Sequence, residues 1–138
     1  MAIQDPLTKL IIGCCYRVAN ELGNGFAEKV YENALAFELR EAKVGVVQQQ
    51  GIEVFYRGVN VGNYVADLVV DGRVIVEIKA VKPFDDEHLT QGLNYMKATG
   101  LVTCLLVNFG KAKVQVRRLG MNRGTSVGTV ELDVKDIE

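Results

Sequence analysis

Between Val46 and Ala80 the chain is dominated by valine, isoleucine, phenylalanine and tyrosine, with Gly58 and the Asp71-Gly72 pair as breaks. Residues 46–56, 61–70 and 73–80 are therefore predicted to be three consecutive antiparallel strands. Upstream, Leu7, Leu10, Ile11, Cys14, Val18 and Leu22 recur at helical spacing, which predicts a helix over residues 5–22. Asp5 is its expected N-cap, with Pro6 at the first helical position. Gly23-Asn24-Gly25 breaks this pattern, and a second helix is predicted over 26–42 with Phe26, Val30, Ala34 and Phe37 on one face. Downstream, Pro83 closes the third strand and a helix follows over 85–99, ending at Gly100. Residues 101–109 form the near-continuous apolar run of a strand buried on both faces, and residues 113–119 a last strand. The order α-α-β-β-β-α-β-β predicts an α/β fold with a mixed central sheet flanked by helices. Residues 1–119 are read as a single domain and 120–138 as a C-terminal extension, partly mobile or adding an edge strand over 129–134.

Composition excludes several classes. Sixteen Lys and Arg against seventeen Asp and Glu leave a net charge of −1, without the basic excess of a protein that coats nucleic acid non-specifically. Cys14, Cys15 and Cys104 suit neither a disulfide framework nor zinc spacing and are expected as small buried hydrophobes. There is no basic, apolar leader at residues 1–10 and no apolar run near the ~18 residues of a membrane span. The expectation is a cytoplasmic protein with no membrane partner.

The run Val74-Ile75-Val76-Glu77-Ile78-Lys79-Ala80 is strongly apolar yet carries Glu77 and Lys79 two residues apart, on one face of the strand. The preceding strand carries one charge, Asp67, in similar surroundings. Burying an unpaired charge costs several kcal/mol, so these groups need either one another or a ligand. A two-residue turn at Asp71-Gly72 would send Asp67 and Glu77 to opposite faces. A three-residue loop, Val70-Asp71-Gly72, pairs Val69 with Arg73 and Asp67 with Ile75, making Asp67 and Glu77 diagonal neighbours ~7 Å apart. Two carboxylates and a lysine on one face suit a hard divalent cation and a phosphodiester. Asp67 and Glu77 would supply oxygens to Mg²⁺ at about 2.1 Å, with the Ile78 backbone carbonyl as a third. Lys79 would hold or help deprotonate a water, or stabilise developing charge on phosphorus. A buried ion pair of Lys79 with either carboxylate is the structural alternative.

On the following helix, Gln91 and Tyr95 stand at i, i+4, with His88 one turn earlier; Leu89, Leu93 and Met96 take the core-facing stripe. This polar face either holds a phosphate or water beside the metal or is an ordinary helix edge. Glu28 would be the N3 carboxylate of a helix capped by Gly25, or an additional acid over the metal.

Asp67, then Glu77-Ile78-Lys79, then Gln91-x-x-x-Tyr95 resembles the site of the PD-(D/E)XK nuclease superfamily, whose restriction-endonuclease-like core has the α-β-β-β-α-β order. Gly25-x-x-Glu28-x-x-Tyr31 narrows the likeness to the small GxxExxY proteins. Val30 to Leu35, Val54 to Gly58, Gln91 to Gly100 and Leu106-Val107-Asn108-Phe109-Gly110 also match. The resemblance implies that Asp67 and Glu77 ligate Mg²⁺ or Mn²⁺, that Lys79 is catalytic, and that Glu28 is a helix-borne acid. Gln91 and Tyr95 resemble the motif of RecB-type nucleases. Ala66 stands where proline is usual, and Gly92 where a long apolar residue is expected, at a helix cost of ~1 kcal/mol.

The leading expectation is a metal-dependent nuclease acting on DNA or RNA. Lys97, Lys111, Lys113, Arg117, Arg118 and Arg123 form a stretch free of acidic residues that either engages phosphates or protects a sheet edge. A catalytically silent binding or assembly module is the alternative, and a small-nucleotide hydrolase a third reading. So short a domain has little surface for clamping a duplex, and on a duplex substrate catalysis would call for a homodimer or another partner.

Overall fold

The structure, a computed structural model, describes residues 5–81, 86–122 and 127–133. Helices α1 (Pro6–Leu22) and α2 (Glu28–Glu41) precede strands β1 (Val46–Tyr56), β2 (Val59–Val70) and β3 (Val74–Lys79). Helix α3 (Asp86–Thr99) leads to β4 (Thr103–Asn108), β5 (Gln115–Asn122) and β6 (Val127–Asp133). The six strands lie in sequence order in one sheet. Among the described strands only β3 and β4 are parallel, because α3 supplies the crossover that a parallel pair needs. Among the described residues no helix is long and apolar enough to cross a membrane.

Each face of the sheet has its own core. Ile11, Cys15, Leu35 and Leu39 of α1 and α2 pack on Leu68, Val76, Ile78, Leu105 and Val107. On the other face Tyr95 and Met96 of α3 pack on Val69, Ile75, Cys104, Leu106 and Leu119. Covering on both sides explains the unbroken apolar run of β4, all six of whose residues are buried. All three cysteines are free and buried, as expected of small hydrophobes.

Asp5 caps α1 as its spacing implies, accepting from Thr8 N at 3.2 Å. The start of α2 differs. Its N-cap is Ala27, which makes no side-chain cap bond, so Glu28 is the first helical residue and not the third. Gly25, at φ 119°, lies in the loop before it. The Tyr31 hydroxyl instead ties down the loop before α2, donating to Gly23 O at 2.6 Å and accepting from Phe26 N at 3.2 Å. The Tyr31 ring stacks on Phe109 at 4.5 Å, which turns Tyr31, Leu35 and Leu39 inward. Phe26, Val30 and Phe37, grouped by spacing on one face, are consequently exposed.

The β2–β3 turn corrects a second expectation. Asp71 and Gly72 have φ of 52° and 64°, the paired positive values of a type I′ turn, and Arg73 N donates to Val70 O at 2.9 Å. Asp71 is held there by Gly45, whose N–H donates to Oδ1 and whose carbonyl accepts from Asp71 N, both at 2.8 Å. Arg73 is then an extra residue, because the ladder pairs Val70 with Val74, Val69 with Ile75 and Leu68 with Val76. The parity matches that of the three-residue loop, but the register is two residues further along. Asp67 therefore comes level with Glu77 and not with Ile75.

Two glycines mark close approaches. A Cβ on Gly92 would stand 2.6 Å from Leu119 Cδ1, so the glycine lets α3 sit directly on β4 and β5. This is why no long apolar residue stands there. A Cβ on Gly110 would meet the Val81 carbonyl oxygen at 2.3 Å and its nitrogen at 2.5 Å. Backbone cannot give way as a side chain can. Gly110→Ala should lower stability by about 1–3 kcal/mol in urea unfolding; an unchanged midpoint would show that residues 80–81 can move aside.

Candidate active site

Asp67 lies where both of β2's ladders are interrupted. On one side the register steps from Gln48 opposite Leu68 to Gln50 opposite Ala66, passing over Gln49 and Asp67. On the other it ends at Leu68 and Val76. Side chains replace the missing backbone bonds: Glu77 Oε2 accepts from Asp67 N at 2.8 Å, and Asp67 Oδ2 accepts from Ile78 N at 2.7 Å. Each carboxylate thus holds an amide of the other's strand. The Lys79 carbonyl accepts from Phe109 N on the β4 side. Backbone polar groups alternate along a strand, so the Ile78 carbonyl faces the gap beside Asp67.

Burial and mutual repulsion dominate the electrostatics. Glu77 is only 2% exposed. Burial first, and then the neighbouring Asp67 charge, push its pKa up to about 8 against the Asp67 amide and Lys79. Asp67 is also raised, mainly by burial, with Glu32 and Glu28 adding repulsion against the Ile78 amide and Lys79. Glu28 is exposed at the rim and accepts from Ala80 N at 3.3 Å, tying α2 to the end of β3.

Lys79, Gln91 and Tyr95 form a relay. Lys79 Nζ donates to Gln91 Oε1 at 3.3 Å, and Gln91 Nε2 donates to the Tyr95 hydroxyl at 3.0 Å. Tyr95 is 4% exposed, so it fixes the direction of the Gln91 amide from beneath. Its own pKa is raised, first by burial and then by Glu77. An open cavity of about 660 Å³ is walled by Tyr64, Lys79, His88, Gln91, Asn94 and Tyr95, among others. The structural alternative of a Lys79–carboxylate ion pair is not what is seen: among the described residues Lys79 makes no salt bridge.

Sequence reasoning missed Glu32, Gln48, Gln49 and Tyr64. Glu32 is 3% exposed and accepts from Gln48 Nε2 at 2.8 Å and Gln49 Nε2 at 2.9 Å, while pairing with Lys29. Gln49 has φ 54°, a left-handed conformation that costs about 1–3 kcal/mol and coincides with the interrupted ladder. The available signal was Glu32 one turn beyond Glu28, together with three consecutive glutamines inside a β run. The motif residue Asn108 also has a local task, its Oδ1 accepting from Val81 N and Gly110 N.

The basic stretch does not form one flank. Arg118 is buried and donates to Thr103 Oγ1 at 3.3 Å, and Lys97 is in the last turn of α3. Lys111 and Lys113 are exposed just beyond β4, whose final residue pairs with Lys79; Arg123 lies outside the described residues.

A family model of the PD-(D/E)XK nuclease superfamily matches residues 5–119, and the chain belongs to that superfamily. No curated protein and no solved structure matches it.

The raised Glu77 pKa has a definite sign for stability. Between its unfolded value near 4.5 and about 8, the folded chain keeps a proton that the unfolded chain has lost. Without divalent metal this group should lower stability as pH rises across that window, by up to about 1.4 kcal/mol per pH unit. In Glu77→Gln that contribution is absent. Urea unfolding at pH 5 and pH 8 checks this, and parallel pH dependence in both proteins would contradict it.

Proposed function

We propose that the chain is a Mg²⁺- or Mn²⁺-dependent nuclease hydrolysing phosphodiester bonds of DNA or RNA. The observation that carries this reading is the Asp67–Glu77 pair, two partly desolvated carboxylates forced together at a gap between strands. Among the described residues, Asp67 Oδ1 and Glu77 Oε1 accept no hydrogen bond, leaving one hard oxygen of each for a cation. Among those residues no cluster of three metal-ligating side chains occurs. The set therefore depends on backbone and solvent oxygens, which suits an ion that retains waters.

Asp67, Glu77 and the Ile78 carbonyl would hold the metal, which when bound supplies Lewis-acid charge to the phosphodiester. Lys79 stands two residues beyond Glu77 on the same face of β3 and lines the cavity it shares with Gln91 and Tyr95. Its ammonium holds a phosphate oxygen or the attacking water and offsets negative charge as the bond breaks. Gln91 keeps Nζ in place, and Tyr95 keeps the Gln91 amide from rotating. Glu28 adds a carboxylate at the rim while anchoring Ala80. The segment Gly25-x-x-Glu28-x-x-Tyr31 supports assignment to the GxxExxY group.

A second reading has its own support. Asp67 and Glu77 bond each other's strands, so the pair can serve as a lock in a silent binding or assembly module. Cleavage of single- and double-stranded DNA and RNA with Mg²⁺ or Mn²⁺ separates the two. The nuclease reading expects activity that falls by about 10²–10³-fold in Asp67→Ala and in Lys79→Ala. Activity surviving both substitutions would place the chemistry elsewhere. Absence of cleavage together with absence of Mn²⁺ binding would favour the module.

A further inference from the structure

We infer that Tyr64 is a stacking platform for an unpaired nucleobase, so that the substrate strand meets Lys79 single-stranded. This inference rests on the nuclease reading and names the form of its substrate. Tyr64 is 52% exposed although it walls the same cavity as Lys79, Gln91 and Asn94. Its position is fixed. The backbone pairs with Ile52 of β1, and the ring is backed by the buried Tyr95 ring at 5.8 Å and 46°. Pairing with β3 stops at Leu68, so β3 does not cover this part of β2.

An aromatic face and an ammonium in one cavity match the two chemistries that alternate along a nucleic-acid strand, base and phosphate. Single-strand sites combine such groups, and stacking tolerates any base because each has a π-face. Inside a duplex both faces of each base are covered by its neighbours. Away from a duplex end, Tyr64 can therefore stack only on a base that has left the helix or was never in one. An apolar protein surface is a poorer occupant, because it would take water from the Lys79 ammonium and offer no anionic group in return. A single strand also removes the need for a second copy of the chain to clamp a duplex.

The test uses the full chain carrying Glu77→Gln, with EDTA, and oligonucleotides containing 2-aminopurine, whose fluorescence is quenched by stacking. Single-stranded DNA or RNA should bind with quenching. Adding Tyr64→Ala should weaken binding about 10–100-fold and abolish the quench, whereas Tyr64→Phe and Tyr64→Trp should preserve both. The same sequence as a duplex should bind weakly and without quenching. Binding and quenching that are unchanged in Tyr64→Ala, duplex binding as tight as single-strand binding, or no binding at all would overturn the inference. Cleavage by the wild-type chain is scored separately. Duplex cleavage indifferent to Tyr64→Ala overturns the stacking role and leaves the nuclease reading standing. Tyr64-dependent quenching on a strand that Mg²⁺ or Mn²⁺ never causes to be cut does the reverse.

Discussion

The pair of hydrogen bonds that joins Asp67 to Glu77 and Ile78 is the constraint around which the rest of this molecule is arranged. Where β2 skips one pair with β1 and loses its ladder with β3, each carboxylate takes an amide that the interrupted β2–β3 ladder would otherwise leave unpaired. The substitution satisfies the backbone but brings two like charges together in a partly dry place. Burial makes each charge costly, and proximity makes the second costlier than the first. A proton relieves that repulsion at neutral pH; a divalent cation, if bound, would relieve it more fully.

The surrounding elements keep this arrangement in place. Asn108 and Gly110 seat residues 80–81 against the end of β4, fixing the point where β3 ends. Gly92 lets α3 approach the sheet closely enough for Gln91 to reach Lys79 while Tyr95 stays buried. Tyr31 stacks on Phe109 and pins the loop before α2, and α2 then brings Glu28 to Ala80. Parts of the motif that carry no chemistry of their own therefore determine where the chemistry-bearing side chains stand.

Element types and order were legible because period and punctuation agreed. Valine-rich runs between glycines marked strands, and Asp5-Pro6 marked a helix start. Asp67, Glu77 and Lys79 were legible for a different reason, as charges in strands too apolar to leave them unpaired. The details that depended on tertiary contact were not. Asp71 adopts a positive φ while bonded to Gly45, 26 positions away. The buried face of α2 follows from Tyr31 meeting Phe109, and apolar spacing alone grouped Phe26, Val30 and Phe37 instead. Glu32 carries no signal of burial in the local sequence, because its partners Gln48 and Gln49 lie 16 and 17 positions away. Long-range contact is what sequence spacing does not encode.

If the Asp67–Glu77 pair is a cation site, metal must displace the proton that burial keeps on it. Calorimetric titration with Mn²⁺ at pH 7, repeated in buffers of different ionisation enthalpy, measures that displacement directly. The account predicts one binding event releasing close to one proton, with the release vanishing near pH 9 and the binding lost in Asp67→Ala. Binding without proton release, or no binding to a folded chain, would contradict it.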